Sequence, residues 1–370
     1  MKKILHIQVL PKLSGAQKIS LEILRGLPDS EYEKWILFSD ELDAGDKAVC
    51  EKAFRNAGVK VLYSKKLRRA IGFKDIPALI EIYKLCRREK FDIVHTHSTK
   101  PGIIGRIAAT LAGIPLVVHT VHGLAFHKFV KFPKWQFYWA CEMFASVFCD
   151  KIILVNQYYK KYFKKFSNKC TTIYNGVNFS EMQKMDAVPH DTFKILFVGR
   201  LDNQKDPMTL LKAAKIVAEK SPEVEFTLVG DGEKYDECAK FINENGLENN
   251  IKLAGWQNNV SPFYASHDLF AATSIYESFG LMFLEAGFYG LPVVATNVEG
   301  IPEVVQDKVT GLLCAPRNPE GIAENILKFM CDPRLKEHMG KSSRERATVK
   351  FDVGTMIRQY EEIYSQNGGR

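Results

Sequence analysis

The chain has 370 residues, 46% hydrophobic and 25% charged, which excludes a disordered polypeptide and exceeds one ordinary core, so two domains of α/β size are expected. The net charge of +8 is uneven: residues 1–190 hold 31 Lys and Arg against 17 Asp and Glu, net +14, while residues 191–370 are net −6, so the first half should face an anionic partner. Eight cysteines without a C-x-x-C pair argue for reduced thiols and against a cysteine metal site, which favours a cytosolic enzyme.

In chain order, the opening MKKILHIQVLPK has too few apolar residues before Pro11 for the core of a secretory leader and reads as a buried strand. The runs KWILF, VKVLY, FDIVH, PLVVHT, KIILV and TTIY follow as further strands. Between them GAQKISLEILRGL and FKDIPALIEIYKLCRREK repeat their apolar residues with the helical period. The most apolar stretch, FYWACEMFASVFCDKIILV, is broken by Glu142, Asp150 and Lys151, so no segment supplies the roughly 20 apolar residues that span a bilayer. After a polar linker over 175–190 the pattern restarts: KILFVGR, EFTLVGDG, IKLAGW, LFAATS, PVVATN and GLLCAP. The chain closes on a helical pattern, FDVGTMIRQYEEIYSQ.

Strands alternating with helices imply a parallel sheet covered on both faces, and here that happens twice. The expected fold is α/β, with two doubly wound, Rossmann-like domains facing a central cleft. Boundaries are expected at 1–185 and 186–349, with the last helix at about 350–370. In such sheets ligands bind beyond the carboxyl ends of the strands, which directs attention to the turns there.

One such turn, GRLDNQKD, places Arg200 and Lys205 just past a strand, a fork and a compact charge suited to a diphosphate, though also compatible with a solvated loop. Another, YESFGLMFLEA, carries Glu277 and Glu285 about Gly280. On one continuous helix eight residues rotate about 80° beyond two turns, so the two acids cooperate more readily if Glu277 lies in a loop and Glu285 in the following helix. Gly280 at that helix start would let an anion approach backbone N–H groups. The alternative is a dipole-compensating Glu277 and an exposed Glu285. In the first half, His97 in DIVHTHS and His122 in VVHTVHG stand at strand ends, His127 follows, and Gly15 in KLSGAQK opens a helix. A lone histidine is more often structural than catalytic; the strand-end position favours His122. No metal-ligand spacing is present, and no metal is expected.

Lysines interleave with aromatics in AFHKFVKFPKWQFYWACEMF and QYYKKYFKKFSNK, and KKLRRAIGFKD adds a basic cluster. Such segments suit an anionic membrane surface. Nucleic acid is not the expected partner, since no motif for it occurs.

GRLDNQKD, VGDGE, ESFGLMFLE with its E-x7-E spacing, GLPVVATNVEGIPEVV and GLL, in this order, resemble the retaining glycosyltransferases of family 4, which have the GT-B fold. LSGAQK, VHTHSTKPGIIGRIAATLAGIPLVVHTVHGLAFH and IYNGV resemble members that build bacterial capsule, exopolysaccharide and O-antigen. The chain departs from the family in lacking a second glycine before Gly15 and in having Glu299 where most members have glycine. The resemblance implies an acceptor-binding first domain, a nucleotide-sugar-binding second domain, and a C-terminal helix that packs back onto the first. It implies that Arg200 and Lys205 hold the donor diphosphate, that Glu285 binds ribose, and that backbone groups at Phe279, Gly280 and Leu281 complete the donor site with Gly15. Glu277 and His122 would act at the transferred sugar, and His97 and His127 on the acceptor side. The implied reaction moves a sugar, an N-acetylhexosamine or related hexose, from a UDP-sugar to a polyprenyl-diphosphate-linked saccharide, in the cytoplasm at the inner face of the membrane. Rival readings are a nucleotide-sugar epimerase of similar fold, a soluble glucan or sucrose-phosphate synthase, and a carbohydrate-binding protein. A dinucleotide dehydrogenase fits least, since no G-x-G-x-x-G follows the first strand.

Overall fold

The computed structural model describes residues 1–41, 44–68, 75–185 and 190–366. Part of the linker (186–189) and of the KKLRRAIGFKD cluster (69–74) lies outside them. Two compact units form: Met1–Gly176 with Val353–Arg370, and Val177–Asp352. The division falls at Gly176, earlier than the boundary after residue 185 that composition suggests.

The first unit is a parallel sheet of β1 (Lys2–Ile7), β2 (Tyr32–Ser39), β3 (Lys60–Ser64), β4 (Ile93–His97), β5 (Leu116–Val121), β6 (Lys151–Leu154) and β7 (Cys170–Thr172), in the order β3-β2-β1-β4-β5-β6-β7. Helices α1 (Gly15–Gly26), α2 (Ala44–Asn56), α3 (Asp75–Glu89), α4 (Thr99–Leu111) and α5 (Lys134–Ser146) connect the strands. Residues of both helices and strands, including Leu5, Val94, Val117, Ile82 and Ala108, close one core. Because the winding reverses between β1 and β4, their carboxyl ends form a topological switch point, where a doubly wound sheet leaves a crevice.

The second unit repeats the plan. Its strands β8 (Lys194–Val198), β9 (Glu225–Val229), β10 (Ile251–Gly255), β11 (Leu269–Ala272), β12 (Val293–Thr296) and β13 (Gly311–Cys314) lie in the order β10-β9-β8-β11-β12-β13, with the switch point between β8 and β11. Around them run α6 (Pro207–Lys220), α7 (Tyr235–Glu244), α8 (Ser261–Ala265), α9 (Leu281–Phe288), α10 (Ile301–Val304), α11 (Pro319–Cys331) and α12 (Pro333–Lys350). The chain then returns to the first unit as α13 (Val353–Ser365), whose Tyr360 and Tyr364 are fully buried there.

Helix α5 shows how an apolar sequence can still leave rings outside. Arg106 of α4 is fully buried and donates to Glu142 at 2.9 Å, tying one side of α5 to the core. On the other side Phe137, Phe144 and Val147 are 55%, 58% and 58% exposed, and Phe132 just before the helix is 79% exposed. Positions 137, 144 and 147 fall on one face at helical spacing. No helix among the described residues is long and apolar enough to cross a membrane.

Candidate active site

In the second unit the two conspicuous turns meet at the switch point. The turn after β8 is held to the end of β11 by Thr273, whose hydroxyl donates to the carbonyl of Asp206 at 2.8 Å, and by the Ile275 N–H donating to the Gln204 carbonyl at 2.8 Å. Lys205 thereby reaches Glu277, and its ammonium donates to the Glu277 carboxylate. Both side chains are nearly buried, at 13% and 10% exposure, so the pair is shielded from most screening. Arg200 differs: it is exposed, pairs with Asp202 at 3.0 Å and donates to Gln204 at 3.1 Å.

Glu277 lies in the loop after β11, and Glu285 is inside α9. The buried Tyr264 hydroxyl donates to Glu285 at 2.9 Å. Burial first, and then the adjacent Glu285, holds that phenol well above its ordinary range, so it remains a hydrogen donor. Gly280 precedes α9 with φ +86°, a left-handed conformation, and an added Cβ would meet the Phe283 ring at 2.7 Å. The first two N–H groups of α9, of Leu281 and Met282, precede the Phe283 N–H that donates to the Gly280 carbonyl at 3.1 Å, and they present partial positive charge. Phe279 is buried edge-on against Phe351, so a role for it falls to its backbone, and Leu281 is half-buried. Glu299, at the position where glycine was expected, has φ +42°. A left-handed backbone there explains why glycine suits the position; this chain's glutamate adopts the same conformation at a steric cost of roughly 1–2 kcal/mol.

The VGDG segment supports the same turn from β9. Gly230 has φ +141°, and a Cβ would lie 1.9 Å from the Gly199 carbonyl oxygen, so only glycine lets the two loops close.

In the first unit, parallel pairing of β1 with β4 sets His6 opposite His95, and His97 follows on the same face. All three rings are fully buried. His97 Nε2 lies 3.1 Å from His6 Nδ1, and His97 Nδ1 lies 2.9 Å from Nε2 of His122, which is half-buried just beyond β5. His6 continues to Ser20 Oγ at 2.7 Å and to the Tyr364 hydroxyl at 3.3 Å. Tyr364 reaches His95 Nδ1 at 2.5 Å, and His95 Nε2 shares a 2.8 Å bond with Thr120, itself 3.1 Å from the Tyr360 hydroxyl. Burial takes His6 down to about 3 and His122 to about 4, and pushes His95 and His97 well below the ordinary histidine value, so the rings are neutral near pH 7.

Sequence spacing contains no metal-ligand pattern; strand pairing nevertheless brings ligand nitrogens of His6, His95 and His97 within 4.8 Å of one another, close enough to share an ion. Residues 6 and 95 are neighbours only through the β1–β4 register, which no spacing rule detects.

Gly15 is the first residue of α1, and a Cβ there would touch nothing within 4 Å, so open space adjoins it. A pocket of about 800 Å³ lies beyond the ends of β1 and β4, lined by Ser14, Gln17, Ser98, Lys100, Ala125 and Tyr138. His127 is half-buried in the loop after β5, tilted against Phe129, and burial lowers its pKa. The fold thus brings His97 to His122 and Lys205 to Glu277. Tyr264, His6, Tyr360 and Tyr364 were not anticipated. Only His6, a polar residue inside an apolar strand, gave a signal.

Two Rossmann-like units, one with a cation–carboxylate pair and a helix start gathered at its switch point, give the chain the two-domain architecture of the GT-B fold. The profile described as Glycosyltransferase Family 4 matches residues 13–181, and that described as Glycosyl transferases group 1 matches residues 178–346. The chain is 31% identical to the UDP-Gal:alpha-D-GlcNAc-diphosphoundecaprenol alpha-1,3-galactosyltransferase of Escherichia coli, over 98% of this chain and 96% of the relative. It is 28% identical to the capsular polysaccharide biosynthesis glycosyltransferase CapM of Staphylococcus aureus, over 98% and 97% of the two chains. Anabaena HepE, solved with UDP-glucose, superposes with a TM-score of 0.82 at 24% identity over 99% of this chain and all of that one, a likeness of fold. The chain belongs to glycosyltransferase family 4.

Proposed function

We propose that this glycosyltransferase moves a hexosyl or N-acetylhexosaminyl group, with retention, from a UDP-sugar to a saccharide carried on a polyprenyl diphosphate, during assembly of a bacterial surface polysaccharide. The observation that carries the reading is the meeting of Lys205 and Glu277 at the β8–β11 switch point, beside the start of α9. Lys205, Arg200 and the first N–H groups of α9 stabilise the leaving diphosphate as the anomeric carbon becomes cationic. Glu285, oriented by Tyr264, accepts hydrogen bonds from the ribose. Glu277 positions the sugar through its hydroxyls.

In the first unit His122 contacts the transferred sugar, with Gly15 near the donor and His97 and His127 toward the acceptor. The pocket between Ser14, Lys100 and Tyr138 has the size of a saccharide site. A polyprenyl-linked acceptor is supported by the activity named for the Escherichia coli relative, and a surface-polysaccharide role by the name of CapM. Exposed Phe132, Phe137 and Phe144 beside Lys131 and Lys134 suit peripheral attachment to an anionic membrane surface.

The test offers purified protein UDP-galactose and UDP-N-acetylglucosamine with a synthetic N-acetylglucosaminyl-diphosphate lipid, and follows UDP release and the product's anomeric configuration. An α-linked product from one donor is expected. A converted UDP-sugar without acceptor glycosylation would replace transfer with epimerisation.

A further inference from the structure

We propose that His97, backed by His6, is a positioning residue that sets which nitrogen of His122 carries the proton, leaving His122 Nδ1 as a hydrogen-bond acceptor. This rests on the reading that His122 contacts the transferred sugar. The argument follows the protons. His6, His95 and His97 are fully buried, and none of their hydrogen bonds runs to a carboxylate, so each ring is neutral with one N–H to give. Ser20 is fully buried and its hydroxyl has His6 Nδ1, at 2.7 Å, as its one hydrogen-bond partner among the described residues, so its proton is directed there. Ser20 thus donates to His6 Nδ1, and the Tyr364 hydroxyl, whose oxygen takes the other His6 nitrogen, donates to His95 Nδ1 at 2.5 Å. With Nδ1 accepting, His6 holds its proton on Nε2 and donates to the Tyr364 oxygen at 3.3 Å.

His97 Nε2 stands 3.1 Å from the same His6 Nδ1, and two lone pairs cannot face each other at that distance, so His97 carries its proton on Nε2 and shares the Nδ1 lone pair with Ser20 in a three-centre bond. Its Nδ1 then bears a lone pair. At 2.9 Å it accepts from His122 Nε2–H, and the remaining nitrogen of His122, Nδ1, has its own lone pair and no hydrogen bond among the described residues. The order set at Tyr364 and Ser20 thus passes through two rings to the one that is half-exposed. His122 can take a hydrogen bond from a sugar hydroxyl and cannot protonate a leaving phosphate. The other use of three such rings, an ion held by His6, His95 and His97, would require these same nitrogens to give up their hydrogen bonds.

The experiment reads the ring nitrogens by NMR in the full chain labelled with ¹⁵N-histidine, alongside steady-state kinetics. In the wild type His122 should be protonated at Nε2. His97→Leu should release it to a mixture of tautomers and lower kcat about tenfold with the donor KM little changed. His97→Asn, whose amide oxygen can accept at the Nδ1 position, should restore both. Wild-type protonation at Nδ1, or a tautomer indifferent to His97→Leu in a variant that melts as the wild type does, would overturn the assignment. So would stoichiometric cobalt(II) binding that His97→Leu abolishes. Full activity of His122→Ala, with the His122 tautomer of the otherwise unaltered chain still governed by His97, would instead remove the sugar contact and leave the tautomer assignment intact.

Discussion

Lys205 and Glu277, 72 residues apart in sequence, form a nearly buried ion pair where the turns after β8 and β11 meet. Removing one partner strands the other in a poorly solvated place. Lys205→Ala is expected to lower stability by about 3 kcal/mol, read from the denaturant midpoint, and to abolish stabilisation by UDP. Glu277→Gln keeps the shape and loses the charge; kcat should fall about 100-fold while UDP still protects against heat. Wild-type kcat in Glu277→Gln would remove it from the reacting sugar.

The Tyr264–Glu285 bond offers a separate handle on the nucleotide. Tyr264→Phe deletes one hydrogen bond to a carboxylate, about 1.5–3 kcal/mol at such a site. Titration calorimetry should show UDP binding weakened about tenfold, and weakened further in Glu285→Ala. If both variants bind UDP as the wild type does, Glu285 does not hold the ribose.

The buried histidines make the fold sensitive to mild acid. His6 takes up a proton near 6.5 in the unfolded chain but only at about 3 when folded, because burial and then His122 oppose its charge. The unfolded chain therefore binds more protons below 6.5. Stability is whole above that pH and falls as pH drops toward the folded value, by up to about 1.4 kcal/mol per pH unit for each such ring. His95 and His97 act in the same direction. Urea midpoints should be markedly lower at pH 5.5 than at pH 7.5. Equal midpoints would mean that the rings are hydrated.

The apolar face of α5 gives the membrane part of the proposal its own test. Phe137 and Phe144 stand outside the core, with Lys131 and Lys134 exposed nearby. The protein should float with anionic vesicles at low salt and less at high salt, and the Phe137→Ser, Phe144→Ser double variant should stay in the soluble fraction at either. Unaltered flotation of that variant would move the contact elsewhere.

Much of this molecule is written locally. Alternation of short apolar runs with helical periods is a property of neighbouring residues, so the strands of both sheets and their parallel, doubly wound arrangement were legible from KILHIQV to GLLCAP. The two polar motifs were legible for the same reason: GRLDNQKD and YESFGLMFLEA each place their polar groups in the turn after one strand or in the helix that follows it. What the amino-acid order could not disclose is which turns meet. Lys205 faces Glu277 because β8 and β11 are neighbours, and Glu285 is oriented by Tyr264 from a different helix. The histidine chain goes furthest in this respect. It needs the β1–β4 register to set His6 against His95, the start of the loop after β5 to supply His122, and the return of α13 to supply Tyr364, 269 residues from His95. Periodicity reports which face of an element is apolar. Only packing decides which buried polar atoms become one another's partners, because a desolvated nitrogen must find its hydrogen bond wherever the fold has placed one.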